Sequence, residues 1–161
     1  MSIVKSILTN HFTYKKERNW DKTYWAFDIH GTILKPNYQY GNTPDEFYPM
    51  AKETLQLISN LDDVCMFLYT CSHPHEIQEY LNLFEADGIH FDYVNENPEV
   101  PTQLNGYGNY DKKPYMNVLF EDKAGFDPEQ DWALVYKLLY PYYHGEDFKS
   151  RTIQHGESDS V

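Results

Sequence analysis

Cysteine is scarce in this chain of 161 residues, which contains only Cys65 and Cys71. Two cysteines are too few for the disulfide framework of a small secreted domain. The sequence also lacks a basic segment followed by an apolar one at its start, and no apolar run approaches the ~18 residues that a membrane span needs. We therefore expect a cytoplasmic protein in a reducing compartment, with no membrane partner.

Positively charged residues are also few. The chain has 13 Lys and Arg residues against 25 Asp and Glu residues, which gives a formal net charge of -12. An acidic protein repels polyanions at long range and has few cations with which to replace the counterions of a phosphate backbone. The composition therefore disfavours DNA or RNA as a main partner.

Aromatic residues, by contrast, are abundant, at 17% of the chain, with 15 Tyr and 9 Phe. The length lies within the range of ~100–200 residues that is usual for one domain, so any cap must be small. We expect a single domain over residues 1–144, with a ring-rich core at about residues 20–140. The polar residues 145–161 carry no apolar periodicity and are predicted to be a flexible tail.

Short apolar runs alternate with helical patterns. Residues 24–27 and 64–69 read as buried parallel strands, and residues 89–94 and 117–120 as weaker ones. Helices are predicted after Pro49, Pro74 and Pro128. Near the start of the chain, residues 1–9 fit a short helix or strand and residues 15–19 a charged connector. The order predicts an α/β fold, a Rossmann-like doubly wound parallel sheet whose ligand site lies at the carboxyl ends of its strands.

Polar residues follow three of these predicted strands. Each has an ordinary structural explanation: Asp28 can cap a turn, and Ser72 can cap the next helix. Taken together, they supply carboxylates, hydroxyls and a cation to one sheet edge, which suits Mg²⁺ and a phosphate group. The groups are Asp28-Ile29-His30-Gly31-Thr32, Thr70-Cys71-Ser72, and Glu121-Asp122 with Asp127 beyond it and Lys113-Pro114 before it.

The order Asp28-x-x-Gly31-Thr32, Thr70, Lys113-Pro114 and Glu121-Asp122 with Asp127 resembles the four motifs of the haloacid dehalogenase superfamily. The resemblance covers roughly residues 24–127, and residues 113–126 are similar to compact, capless members from bacteria and phages. It implies a fold with no large cap domain, Mg²⁺ as cofactor, and a phosphohydrolase that forms an aspartyl phosphate from a small phosphomonoester, nucleotides included.

The resemblance also implies roles for individual residues. Asp28 would be the nucleophile and a metal ligand, and Lys113 would neutralise Asp28 and the incoming phosphate. Asp122 and the backbone carbonyl of His30 would bind the metal, with Glu121 or Asp127 as a further ligand. The substrate phosphate would be held by Thr70, Cys71, Gly31 and Thr32.

His30 is a departure from the family pattern. Phosphatases of the superfamily usually carry an acid/base Asp two residues after the nucleophile. An imidazole can also perform acid and base chemistry near neutral pH, so His30 is the candidate for this role. The alternative function is a weakly active or inactive protein that binds a phosphate or nucleotide without efficient turnover.

Three other segments offer alternatives. A zinc site is suggested by Cys71 and the run His73-Pro74-His75-Glu76, with His30 at the same sheet edge, but the spacing matches no common pattern. The Tyr-rich loop 105–110 fits either a cover over the site or a surface loop packed on the domain. The insert 34–48 is too short for a cap domain, which predicts an open site.

Overall fold

The computed structural model describes residues 2–37, 39 and 41–148. Four helices and four strands make up this part of the chain, and a 3₁₀ turn, Asp122–Ala124, follows the last strand. None of the helices described has the length and apolar content that crossing a membrane requires. The elements are α1 (Ile3–Glu17), β1 (Thr23–Phe27), α2 (Ala51–Ser59), β2 (Val64–Leu68), α3 (Pro74–Ala86), β3 (Tyr93–Val94), β4 (Val118–Phe120) and α4 (Asp131–Tyr143).

The four strands form one parallel sheet in the order β3-β2-β1-β4. Trp25 in β1 lies opposite Met66 in β2 and Val118 in β4. The chain moves outwards from β1 to β3 and then crosses to the other side of β1, which is the topological switch that places a ligand site at the carboxyl ends of β1 and β4. The predicted Rossmann-like α/β fold is confirmed, and the described residues contain no large cap.

Rings dominate the core behind this sheet. Phe27 stacks on Phe120 across the β1–β4 pair, with ring centroids 4.8 Å apart. The indole of Trp132, from α4, stacks on Phe120 at 5.5 Å, and all three residues are buried. The ends of β1 and β4 are therefore fixed by a rigid aromatic layer directly beneath the predicted site.

Several boundaries differ from the predictions. α1 runs to Glu17, so residues 15–17 of the predicted connector 15–19 belong to the last turn of a helix. β3 contains only two of the six residues predicted for it, because the backbone N–H of Ile89 bonds to the end of α3 instead of to a strand. α4 begins at Asp131, three residues after Pro128.

The predicted tail falls mostly outside the described residues, since residues 149–161 are not among them. Within residues 145–148, Phe148 stacks on Phe12 of α1, with ring centroids 4.3 Å apart. The domain packing therefore extends to residue 148.

Candidate active site

Three carboxylates meet where β1 and β4 end. Asp28 directly follows β1, and its backbone N–H donates to the carbonyl of Phe120 at 3.0 Å, so the parallel pairing continues to the site. Glu121 and Asp122 directly follow β4. One carboxylate oxygen from each of the three residues lies within 4.8 Å of the others. The topology thus brings together three of the residues that the sequence pointed to.

We define the acidic cluster as Asp28, Glu121 and Asp122. The side chain of Thr32 links the β1 half of this cluster to the β4 half. Its hydroxyl oxygen accepts the backbone N–H of Asp122 at 3.0 Å. The same hydroxyl lies 3.3 Å from Asp28 Oδ2 and 3.4 Å from Asp122 Oδ1, so its single hydrogen serves both carboxylates. Thr32 is fully buried, and its position in the structure is that of a bridge within the site.

Gly31 is required by the shape of this turn. Its φ of +78° lies in the left-handed region, which side chains rarely adopt. A Cβ at this position would lie 3.0 Å from Asp122 Oδ2. The glycine therefore allows the carboxylate of Asp122 to approach the β1 turn.

Trp132 anchors the same turn from below. Its indole N–H donates to the carbonyl of Thr32 at 2.8 Å, in a fully buried position. The hydroxyl of Thr54 in α2 in turn donates to the carbonyl of Trp132 at 2.9 Å. Trp132 lies in the first turn of α4, and its hydrogen bond to a loop 100 residues away leaves no local signal in the sequence.

Burial and mutual repulsion determine the electrostatics of the acidic cluster. Burial raises the pKa of Asp28, and the charge of Asp122 acts in the same direction, against hydrogen bonds from Ile29 and Thr32 that lower it. Burial, a hydrogen bond with Asp122 and the charge of Asp28 together raise the pKa of Glu121 to about 7. Among the described residues, no cation forms an ion pair with the cluster.

This donor set fits a hard divalent cation. Mg²⁺ prefers carboxylate and carbonyl oxygens, with water filling its remaining positions. A cation held here would remove the mutual repulsion that raises the pKa values of Asp28 and Glu121. In the described parts of the chain, no other group of three acidic, His or Cys residues converges in this way, and Cys71, His73 and His75 form no such group.

Hydroxyl groups lie at the end of the neighbouring strand β2. The hydroxyls of Thr70 and Ser72 are 2.7 Å apart, and the backbone N–H of Ser72 donates to Thr70 Oγ1 at 3.2 Å. The amide of Asn95 bonds to both backbone groups of Thr70 at 2.8 Å, and Asn95 takes a positive φ of 56° to do so. Cys71 between them is exposed. The N-cap of α3 is His73 rather than Ser72, so the capping interpretation of Ser72 is wrong.

His30 is turned towards α3. Its Nε2 lies 2.6 Å from the hydroxyl of Tyr80, and the two rings meet edge to face with centroids 5.3 Å apart. Tyr80 is 1% exposed. Sequence analysis did not identify Tyr80 as part of the site, because its helical spacing is that of an ordinary core residue.

Two predicted residues stay apart from the acidic cluster. Lys113 is exposed and makes no ion pair with a described carboxylate. Asp127 is exposed and lies outside the group of converging carboxylates; its Oδ1 accepts the backbone N–H of Glu129 at 3.1 Å in the turn before α4. Of the two alternatives for a further metal ligand, the geometry therefore favours Glu121 over Asp127.

The segments beside the site have partners of their own. The backbone N–H of Lys35 donates to the carbonyl of Glu46 at 2.8 Å, which closes the two ends of the insert on each other. The hydroxyl of Thr43 bonds to Glu79, so this described part of the insert contacts α3. In the Tyr-rich loop, Tyr110 packs edge to face on Tyr115 at 5.3 Å, whereas Tyr107 is fully exposed.

Comparison with known proteins supports the fold. The chain is similar to the solved structure of a conserved protein from Bacteroides thetaiotaomicron, with a TM-score of 0.54 and 21% sequence identity. The match covers 75% of this chain and 92% of the other. Models of known protein families show no match to the chain, and curated proteins show none either.

Proposed function

We propose that the protein is a Mg²⁺-dependent phosphohydrolase that acts on phosphomonoesters through an aspartyl phosphate on Asp28. The observation that carries this proposal is the convergence of Asp28, Glu121 and Asp122 at the ends of two adjacent parallel strands. The hydroxyls of Thr70 and Ser72 end the next strand of the same sheet, which is where a phosphate bound at this edge would need donors. The resemblance of these motifs to the haloacid dehalogenase superfamily points to the same chemistry.

The chemistry runs through the carboxylate of Asp28. One of its oxygens attacks the phosphorus atom, a new P–O bond forms, and the alcohol oxygen of the substrate leaves with its electron pair. Water then attacks the phosphorus atom of the acyl phosphate, the bond to Asp28 breaks, and the carboxylate is restored together with inorganic phosphate. The hydroxyl of Thr70 would bind a phosphoryl oxygen during both steps. The backbone N–H groups of Gly31 and Thr32, which the sequence also suggested for this role, already donate to the carbonyls of Leu34 and Ile29.

The remaining residues would allow two anions, the carboxylate of Asp28 and the substrate phosphate, to lie close together. Asp122, Glu121 and the backbone carbonyl of His30 would hold the metal with Asp28. Bound Mg²⁺ supplies the positive charge that lets a carboxylate approach a phosphate. Lys113 would add to that charge from the segment before β4, which requires its exposed side chain to turn towards the substrate. Two unpaired cysteines fit the cytoplasm as the compartment for this activity.

The test compares the wild type with Asp28→Asn on an artificial aryl phosphate, with and without Mg²⁺. We expect the variant to lose more than about 10³-fold in kcat/KM, because an amide is not a nucleophile. Asp127→Asn is the matched control, an exposed acid outside the cluster, and should retain activity. Equal rates for wild type and Asp28→Asn would remove Asp28 from the chemistry.

A second candidate function is phosphate or nucleotide binding without efficient turnover. The observation that favours it is the hydrogen bond between His30 Nε2 and Tyr80, which occupies a nitrogen of the candidate acid/base residue. A panel of phosphomonoesters, nucleotides included, separates the two functions. Binding by titration calorimetry with no phosphate release from any member would identify the binding protein.

A further inference from the structure

Thr70 follows β2 at a level of the sheet that β3 does not reach. The backbone N–H of Tyr69 donates to the carbonyl of Phe27 in β1 at 2.8 Å. Because alternate residues of a parallel strand direct their backbone groups to opposite neighbours, the N–H and C=O of Thr70 face the β3 side instead. β3 ends at Val94, opposite Leu68, so its strand backbone does not extend far enough to pair with Thr70.

The carboxamide of Asn95 takes the place of the missing strand residue. Its Oδ1 accepts the N–H of Thr70 and its Nδ2 donates to the C=O of Thr70, both at 2.8 Å. The backbone N–H of Asn95 still donates to the carbonyl of Leu68 at 2.7 Å, but its φ of 56° lies in the left-handed region, where a strand cannot continue. Asparagine adopts this conformation more readily than most residues. A side chain therefore continues the β2–β3 pairing after the backbone has left it.

The hydroxyls of Thr70 and Ser72 have one hydrogen more than their mutual contacts use. Thr70 Oγ1 and Ser72 Oγ lie 2.7 Å apart, so one hydrogen lies between them, and Thr70 Oγ1 also accepts the N–H of Ser72 at 3.2 Å. Two hydroxyls carry two hydrogens. The described residues offer neither hydroxyl another partner. Whichever hydroxyl donates to the other, the pair presents one free O–H.

The strand register brings this hydroxyl pair beside the end of β1. Phe27 lies opposite Leu68, and the hydrogen bond from Tyr69 to Phe27 carries the β1–β2 pairing one step further. Neighbouring strands lie about 4.8 Å apart. Thr70 therefore lies next to the turn that begins at Asp28.

We propose that Asn95 is a positioning residue, which holds Thr70 so that the hydroxyl pair of Thr70 and Ser72 donates its free hydrogen to a phosphoryl oxygen of the substrate. The choice of a phosphoryl group as acceptor rests on the proposed function. The placement of Thr70 rests on the two amide hydrogen bonds and on the strand register alone. Asn95 acts through Thr70, because both polar atoms of its amide bond to the backbone of that residue.

The test measures the affinity of the full-length protein for inorganic phosphate with Mg²⁺ present, by titration calorimetry, which needs no turnover. Asn95→Gly suits the left-handed backbone and removes only the carboxamide. We expect its Kd for phosphate to rise about tenfold, because a displaced hydroxyl no longer meets the anion. Its Kd for Mg²⁺ should equal that of the wild type, since Asn95 bonds to no residue of the acidic cluster. An unchanged Kd for phosphate overturns the proposal.

Asn19→Gly is the matched control. Asn19 is exposed, has a similar φ of 52°, and precedes β1, at the opposite end of that strand from Asp28. The control makes the same replacement in the same backbone conformation far along the chain from Thr70. Its Kd for phosphate should equal that of the wild type, and a tenfold rise in both glycine variants contradicts a specific role for Asn95.

A double variant tests whether Asn95 acts through Thr70. Thr70→Val keeps the shape of the side chain but removes its hydroxyl, and should weaken phosphate binding about tenfold or more. In that background, Asn95→Gly should add less than about a twofold loss, because no Thr70 hydroxyl is left to be placed. A full further tenfold loss contradicts action through Thr70.

The proposed function is decided separately, by the turnover of Asp28→Asn. If that variant keeps the wild-type rate, the proposed function fails, while weaker phosphate binding by Asn95→Gly still supports the role of Asn95. If Asp28→Asn is inactive but Asn95→Gly binds phosphate normally, the role of Asn95 is overturned and the proposed function stands. A wild type that binds no phosphate in the presence of Mg²⁺ overturns the hydroxyl pair as a phosphate donor.

Discussion

Gly31 shows how a single small residue shapes the acidic cluster. We predict that Gly31→Ala destabilises the fold by about 1–2 kcal/mol through its left-handed backbone and also weakens Mg²⁺ binding, because the added Cβ displaces Asp122. Urea denaturation and titration calorimetry measure the two effects.

Gly88→Ala is the control for this prediction. Gly88 has a similar φ of +73°, but nothing lies within 4 Å of the position of its Cβ. Its variant should lose stability and keep Mg²⁺ affinity. Equal Mg²⁺ affinity in the wild type and Gly31→Ala would show that the contact with Asp122 does not shape the site.

At the residue scale, the sequence predicts those site residues whose positions follow from the order of strands along the chain. Asp28, Glu121 and Asp122 were predictable, because each directly follows an apolar strand and parallel strands end at a common edge. Tyr80 and Asn95 were not, since their contacts with His30 and Thr70 span 50 and 25 residues and depend on how α3 and the β3 end pack. Tertiary partners of this kind leave no local pattern.

At the scale of elements, α1 carries a titratable group into the core. His11 is buried, its Nε2 lies 3.5 Å from Thr23 Oγ1, and its ring meets that of Trp25 edge to face at 5.3 Å. Burial lowers the pKa of His11 to about 4, and the charge of Lys15 acts in the same direction. The packing of α1 on the sheet therefore requires a neutral imidazole.

This packing predicts a pH-dependent stability. Unfolded His11 takes up a proton below its ordinary pKa of ~6.5 while the folded form does not, so the unfolded state binds more protons and stability falls as pH drops from about 6.5 to about 4. The loss attributable to His11 is on the order of 3 kcal/mol. Urea denaturation at several pH values measures it, with His11→Gln as the variant that should show a shallower slope over this window. Parallel slopes for the two proteins would contradict the prediction.

The elements also show why the sequence pattern predicts β1 and β2 well but misplaces the bounds of β3 and α1. β1 and β2 are continuous apolar runs flanked on both sides by other strands, so their burial and their sequence agree. β3 lies at an edge, and its predicted residues Ile89 and Phe91 are buried as irregular chain, which apolar content alone does not distinguish from a strand. α1 was predicted too short because its last turn carries Lys15 and Lys16, which a helix end tolerates well.

For the whole molecule, the charge of -12 and the acidic cluster predict two separable responses to salt. Any salt screens the overall repulsion, whereas the proposed site in the acidic cluster requires a divalent cation. Mg²⁺ at 100 times its Kd should add about 2.7 kcal/mol, or roughly 5–10 °C in Tm.

Differential scanning calorimetry at matched ionic strength tests this prediction. NaCl should give a smaller rise in Tm than MgCl₂, and Asp122→Asn should abolish the difference. The same rise with both salts in the wild type would show that the cluster binds no Mg²⁺ and that only general screening operates.

The bridge formed by Thr32 also makes the acidic cluster a reporter of folding order. Thr32 and Asp122 lie 90 residues apart in the chain, and β4 is the last strand to emerge during synthesis. The β1–β2 pair can form earlier, since loop closure costs less for the shorter separation. If the acidic cluster binds a cation as proposed, a nascent chain acquires half of its sheet before it can bind that cation, and cation binding would then mark the docking of β4.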